Sequence, residues 1–156
     1  MKDMAYFFSS FNGVEIDLSE FDTSLVTTMR YMFYRNYNIT SLDLSSFNVE
    51  NVSSMECMFM SCNKLESLDL SNFITTNLTN VYQMFTNCTK LTHLDIRNFD
   101  FTKVTSYSNM FGSSASSGVP NDCLIIVKDE TAKEWITSKF ARLTNVKTVV
   151  EYESGV

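Results

Sequence analysis

The chain is short of basic charge: twelve Lys and Arg stand against eighteen Asp and Glu over 156 residues, a formal net charge of −6. Without a basic excess there is nothing to displace phosphate counterions, so direct nucleic-acid binding is not expected. Long apolar runs are also missing. None approaches the roughly 18 to 20 residues that a bilayer-crossing helix requires, which argues against membrane insertion. The four cysteines, Cys57, Cys62, Cys88 and Cys123, form no Cys-x-x-Cys pair and have no histidine at zinc-finger spacing. A structural metal is therefore not expected, and the thiols read as small buried hydrophobes in the free form. Residues 1–12 hold neither a long apolar stretch nor a small-residue cleavage site, so no secretory signal is visible. Hydrophobic residues make up 44% and charged residues 19%, the balance of a folded chain of one domain.

What the chain has in excess is methionine and phenylalanine, nine and thirteen of them. Self-comparison explains both. Ile16-Asp17-Leu18, Leu42-Asp43-Leu44, Leu68-Asp69-Leu70 and Leu94-Asp95-Ile96 recur at one constant interval, as do Phe21, Phe47, Phe73 and Phe99. Val26, Val52, Leu78 and Val104 keep the interval, followed by Met32, Met58, Met84 and Met110 and then Phe33, Phe59, Phe85 and Phe111. Several columns in one phase define an internal repeat. Its first half alternates and predicts a strand. Its second half, typified by Val52, Met55, Met58 and Phe59, steps by three and one and predicts a short helix or 3₁₀ segment. No repeat can bury its apolar side chains alone, so stacking is required and the Met and Phe columns become core.

The stretches Leu42-Asp43-Leu44-Ser45-Ser46-Phe47 and Met58-Phe59-Met60-Ser61-Cys62-Asn63-Lys64-Leu65 resemble the BspA-like leucine-rich-repeat surface proteins over about residues 13 to 112. The resemblance implies adhesion to host matrix or other cells, an extracellular or cell-surface location, and no enzymatic activity; related repeats in phage-encoded proteins leave a cytoplasmic or virion location as the alternative. The expected fold is an α/β repeat solenoid, a short right-handed leucine-rich-repeat coil with a parallel sheet.

The open ends of such a stack need covers. Residues 1–12, with Met4, Tyr6, Phe7, Phe8 and Phe11, read as an N-terminal cap and residues 13–112 as four repeats. Residues 113–156 read as a βαβ-like C-terminal cap. In it a strand over Cys123–Val127 precedes a helix opened by a Thr131-x-x-Glu134 capping box, and Val146–Val150 gives a last strand. Trp135 is expected to anchor this cap. Asn38-Ile-Thr40, Asn51-Val-Ser53, Asn77-Leu-Thr79 and Asn87-Cys-Thr89 match glycosylation sequons but read as turns of the repeat.

Candidate binding residues fall in two groups. Asp17, Asp43, Asp69 and Asp95 occupy outward strand positions, with His93 and Arg97 replacing serines in the last repeat. Strands about 4.8 Å apart would bring neighbouring carboxylates to a repulsion of about 0.9 kcal/mol even in water, so the column needs a cation, hydration or hydrogen bonds from adjacent serines. His93 lacks a nucleophile placed beside it by any motif and reads as an exposed polar residue. The second group is a mixture of Tyr and Arg peculiar to the first repeat: Arg30, Tyr31, Tyr34, Arg35 and Tyr37. The fold requires aromatics at none of these positions. They either pack beneath the N-terminal segment or contact a partner. The functional expectation is non-enzymatic recognition of a protein or glycan, without cofactor or metal. The alternative is a small acidic phage-encoded inhibitor that offers carboxylates to a host nucleic-acid-binding enzyme where phosphates would sit.

Overall fold

The computed structural model describes residues 2–155. Its regular elements are few: β1 (Ser67–Asp69), β2 (His93–Asp95), β3 (Leu124–Val127), α1 (Glu130–Lys139), β4 (Val146–Thr148) and α2 (Val149–Ser154). The four strands form one all-parallel sheet in the order β1-β2-β3-β4. Leu68 pairs with Leu94 in register, one period apart, and Leu94 with Ile125 of β3.

The repeats meet most extensively on the side away from this sheet. Parallel bridges link Asp3 to Thr28, Thr28 to Ser54, Ser54 to Asn80 and Asn80 to Ser106. From each bridge a ladder runs along the chain. The N–H groups of Met29, Tyr31, Phe33 and Arg35 donate to the carbonyls of Ser54, Glu56, Met58 and Met60, and those of Met55, Cys57, Phe59 and Ser61 donate to Asn80, Tyr82, Met84 and Thr86. Val81, Gln83 and Phe85 repeat the pattern onto Ser106, Ser108 and Met110.

This half is not the short helix that its spacing predicts. Met32 N–H bonds to Met29 C=O and Tyr34 N–H to Tyr31 C=O, i to i−3, so the half is a chain of tight turns. Left-handed residues recur at matched positions: Tyr31 and Arg35, Cys57 and Ser61, Gln83 and Asn87, and Asn109. A left-handed residue ends any helix. It also swings the alternate amides out of the chain and toward the next repeat, which is how they reach the ladder. The strain of a non-glycine residue there is offset by one inter-repeat bond per donor.

The apolar columns lie inside. Phe8, Phe33, Phe59, Phe85 and Phe111 stack ring on ring, with successive centroids 5.6, 5.6, 5.7 and 5.8 Å apart. Met32, Met58, Met84 and Met110 are fully buried. Cys62 and Cys88 are free buried thiols that donate to the carbonyls of Phe33 and Phe59, and burial pushes Cys62 up to about 12.

The strand side is less regular than expected. Leu42 is half-buried, not a buried strand neighbour of Leu68, and residues 16–18 and 42–44 form no strand. The sheet is pinned from the C-terminal end, where β3 supplies Leu-Ile-Ile-Val and β4 covers its edge. Residues 2–10 continue only the turn side, donating from Met4, Tyr6, Phe8 and Ser10 to the first repeat, so among the described residues no strand holds the sheet at that end. Asn38 donates its side-chain amide to Asn12 of the N-terminal segment, and Asn51 and Asn77 donate theirs to the preceding repeat, which gives these sequon positions a role in the turns.

The C-terminal region departs from the predicted boundaries at two places. Helix α1 starts at Glu130 behind the N-cap Asp129, whose carboxylate accepts from Ala132 N–H, so the Thr131-x-x-Glu134 box does not form. The last strand stops at Thr148, because Thr148 and Glu151 make a reciprocal capping box that opens α2. Trp135 stacks on Phe101 at 4.3 Å and meets Tyr107 edge-on, which anchors α1 to the last repeat.

Candidate functional site

The first-repeat group is brought together by the turn ladder. Tyr31 and Arg35 sit at its left-handed positions and Arg30, Tyr34 and Tyr37 lie between or just beyond them. Tyr31 is held from three sides: it stacks on Tyr6 at 4.6 Å, meets Tyr34 edge-on at 5.4 Å and donates its hydroxyl to Glu56 at 3.0 Å. Burial, first, and the bonds to Cys57 and Glu56 hold its phenol well above its ordinary range. The Arg30 guanidinium pairs with Glu56 at 3.1 Å and lies near the Tyr31 ring, while Arg35 covers Tyr34 with its guanidinium carbon 4.9 Å from the ring centroid. Tyr37 is 50% exposed. The N-terminal segment thus buries only one face of the group, through Tyr6, and adds its own side chains to the surface: Tyr6 is 54% exposed and Phe7 45%. Glu56, which does not stand out in the sequence, belongs to this cluster, and so does Tyr6, which the sequence reads only as part of the N-terminal cap. The signal for Tyr6 was its place in the turn pattern, in the slot of the N-terminal segment that Tyr31 fills in the first repeat.

The carboxylate column is resolved by local hydrogen bonds. Asp17, Asp43 and Asp69 each accept from the N–H of the serine two residues on, at 3.0, 3.0 and 2.8 Å. These bonds hold all three carboxyls below their ordinary range, so they stay ionised as turn formers. Among the described residues no group of three or more His, Cys, Asp or Glu could hold a metal ion.

Asp95 breaks the column. It is buried, 5% exposed, and its carboxylate is gripped by Arg97 at 2.6 Å, so it does not share the outward surface of the other three. His93 is half-buried beside Tyr152 of α2, with ring centroids 6.0 Å apart, and Arg97 also reaches Glu153 of α2 at 3.7 Å. The unforeseen second helix therefore engages the very residues that replace the serines, and His93 is not a freely exposed residue.

A cavity of about 760 Å³ opens beside α1, between it and the turn that follows β2. Ile74, Phe101 and Trp135 give it apolar walls, with Asp100, Lys128 and Thr131 at polar positions. Asp100 is held low by the hydroxyl and N–H of Thr102. Nothing in the spacing of these residues announces the cavity, because they come from three separate segments.

A family profile matches residues 2–120, which takes in the N-terminal segment and all four repeats. The chain belongs to the family described as Mycoplasma protein of unknown function, DUF285. No curated protein and no solved structure matches it. The DUF285 match includes the Tyr and Arg cluster and the whole carboxylate column but ends before β3, so α1, Trp135 and the helix over His93 lie beyond it. The DUF285 segment thus carries the repeats, and the remaining residues carry most of the regular secondary structure.

Proposed function

We propose that this chain is a non-enzymatic recognition module, a short right-handed leucine-rich-repeat solenoid of the adhesin-like or phage receptor-binding kind, whose first repeat and N-terminal segment contact a protein partner. One observation carries the reading. Among the described residues, six of the nine exposed large hydrophobic side chains, Tyr6, Phe7, Phe11, Val14, Leu25 and Tyr37, fall within residues 6–37. Exposed apolar side chains concentrated in one stretch of the chain mark a contact surface, and the tyrosines among them, with Arg30 and Arg35, match the composition of interface hot spots. Tyr31 and Tyr34 are already fixed by stacking and cation–π contacts, so little side-chain entropy is lost when a partner settles on them. A cell-surface or virion setting belongs to the same proposal.

The acidic-mimic alternative has three outward carboxylates to work with, since Arg97 neutralises the fourth. The two readings separate in one experiment. A partner captured from host surface fractions is titrated against Tyr37→Ala, Arg35→Ala and the pair Asp43→Asn with Asp69→Asn. The proposal expects Tyr37→Ala or Arg35→Ala to weaken binding by about thirtyfold or more with unchanged thermal stability, about the 2 kcal/mol of a true anchor. Loss confined to the aspartate pair, with steep salt dependence, would support the mimic instead.

A further inference from the structure

The turn ladder has a direction. In every repeat the alternate N–H groups point toward the following repeat and the alternate carbonyls toward the preceding one. Tyr107, Asn109 and Phe111 occupy the donor positions of the last repeat, one period after Val81, Gln83 and Phe85. Their neighbours Ser106, Ser108 and Met110 accept from the third repeat in the usual way, so the backbone keeps its orientation and the three N–H groups face the far side. Among the described residues none of the three has an acceptor. Tyr107 is half-buried and Asn109 exposed, so these donors form an open backbone edge of the kind that can pair with another chain.

Tyr107 and Asn109 border a groove of about 460 Å³ between the last repeat and the end of α1, lined also by Gly112, Lys139 and Arg142, whereas Phe111 is fully buried behind it. Two cations border it. Lys139 lies over the rings of Tyr107 and Trp135, 5.4 and 4.9 Å from their centroids, and has no carboxylate partner among the described residues. Arg142 is spent on neutral acceptors, the carbonyls of Val119, Phe111 and Gly112 and the side chain of Asn121, and among the described residues likewise meets no carboxylate. The site therefore offers a row of alternate backbone donors and uncompensated positive charge, in a chain whose net charge is −6.

We infer that this groove binds an acidic peptide segment of a partner protein, which adds one more rung to the ladder: its alternate carbonyls accept from Tyr107 and Asn109, and a carboxylate lies against Lys139 and Arg142. The chain itself supplies the precedent, because the carbonyls of Ser54, Glu56 and Met58 in the second repeat accept from the donors Met29, Tyr31 and Phe33 of the first. Peptide addition to an open backbone edge draws affinity from main-chain bonds and specificity from the side chains that flank them. Phe140 already covers the end of the phenylalanine column, edge-on to Phe111 at 5.0 Å, so the occupant needs no large apolar side chain there.

The test uses the full ¹⁵N-labelled chain and a synthetic acetylated, amidated peptide with the sequence of Ser54–Met60, Cys57 replaced by serine. In the free protein the amides of Tyr107 and Asn109 should exchange with solvent at least tenfold faster than those of Val81 and Gln83. Peptide should shift both resonances and slow their exchange at least tenfold, and Tyr37→Ala protein should respond as the parent does. Replacing the peptide's glutamate by glutamine, or making Lys139→Glu in the protein, should weaken the effect threefold or more. Absence of shifts at Tyr107 and Asn109 at millimolar peptide would overturn the inference. So would equal shifts with inorganic phosphate alone, which would make this an anion site, or protection that grows with protein concentration without peptide, which would make the occupant a second copy.

Discussion

The two ends of the repeat stack are finished in opposite ways. At the N-terminal end residues 2–10 add one more turn half and stop, leaving the carbonyls of Asp3, Ala5, Phe7 and Ser9 without donors among the described residues and Tyr6 and Phe7 open to solvent. At the C-terminal end a four-stranded sheet, two helices and the ion pairs of Arg97 and Lys133 close the structure around Trp135, Phe140 and Arg142. Both ends cover the same phenylalanine column. The difference teaches that a stack of repeats can be capped by continuation, which keeps aromatic surface exposed, or by a different architecture, which buries it.

The largest effect expected from this contrast is in the column itself. Phe85 is fully buried between Phe59 and Phe111, so Phe85→Ala should cost about 3–5 kcal/mol, whereas half-buried Phe8 at the N-terminal end should cost about half as much on truncation. Urea unfolding of both variants measures this. Equal losses would mean that the N-terminal cover packs as tightly as the interior, and the contrast would fail.

The column was legible because side-chain identity and spacing alone define it. The backbone between columns was not. Residues three apart share a face both in a helix and in a succession of tight turns, so Val52, Met55 and Met58 could not distinguish them. Glycine would have marked the left-handed positions, but the chain fills them with Tyr, Arg, Cys, Ser, Gln and Asn and keeps glycine for Gly112, where the chain leaves the ladder. In the cap, the β-branched residues between Val146 and Val150 give the pattern of a single strand, and the capping box Thr148-x-x-Glu151 that divides it has the same spacing as Thr131-x-x-Glu134, which forms none. As for candidate sites, the Tyr and Arg group was visible as a deviation between repeats. The burial of Asp95 was not, since it belongs to a region closed by a helix that begins only at Val149, near the end of the chain.

A smaller effect is expected from opening the C-terminal closure. Thr148→Ala removes the side-chain half of the α2 capping box and should cost about 1 kcal/mol. Because α2 holds Tyr152 over His93 and Glu153 near Arg97, the same change should shift the His93 ring resonances and leave those of Tyr31 and Tyr34 unmoved. Movement at both ends would show that the stack transmits the loss, against the view that its ends are independent.

Acid should act along the whole stack. Asp17, Asp43, Asp69 and Asp100 are all held below the ordinary aspartate value of 3.8, chiefly by serine or threonine two residues on. A carboxyl whose folded value is depressed contributes stability that is complete above its unfolded value and is lost as pH falls through the folded one. The melting temperature should therefore be flat for these groups from about pH 7 to 5 and fall below about pH 4. Asp43→Ala should flatten that fall slightly, and a melting temperature that rises on acidification below about pH 4 would contradict the turn-forming role of the column.

The smallest effect separates what the fold needs from what a partner could use in the first repeat. Glu56 serves three groups: the Arg30 guanidinium, the Tyr31 hydroxyl and the Asn80 side-chain amide. Arg30 is solvent-exposed, so Arg30→Ala should change stability by no more than about 0.5 kcal/mol, the usual worth of a surface pair. Glu56→Gln loses the charge and turns one of two accepting oxygens into a donor, so either Tyr31 or Asn80 loses its acceptor and the change should cost about 1 kcal/mol. A double-mutant cycle between positions 30 and 56 isolates the pair itself. A coupling near zero would leave Arg30 free to exchange Glu56 for an acidic group on a partner at little cost, with Tyr31 still fixed beneath it. A coupling above about 1 kcal/mol would place Arg30 among the residues that hold the N-terminal end together, and the recognition surface would contract to Tyr34, Arg35 and Tyr37.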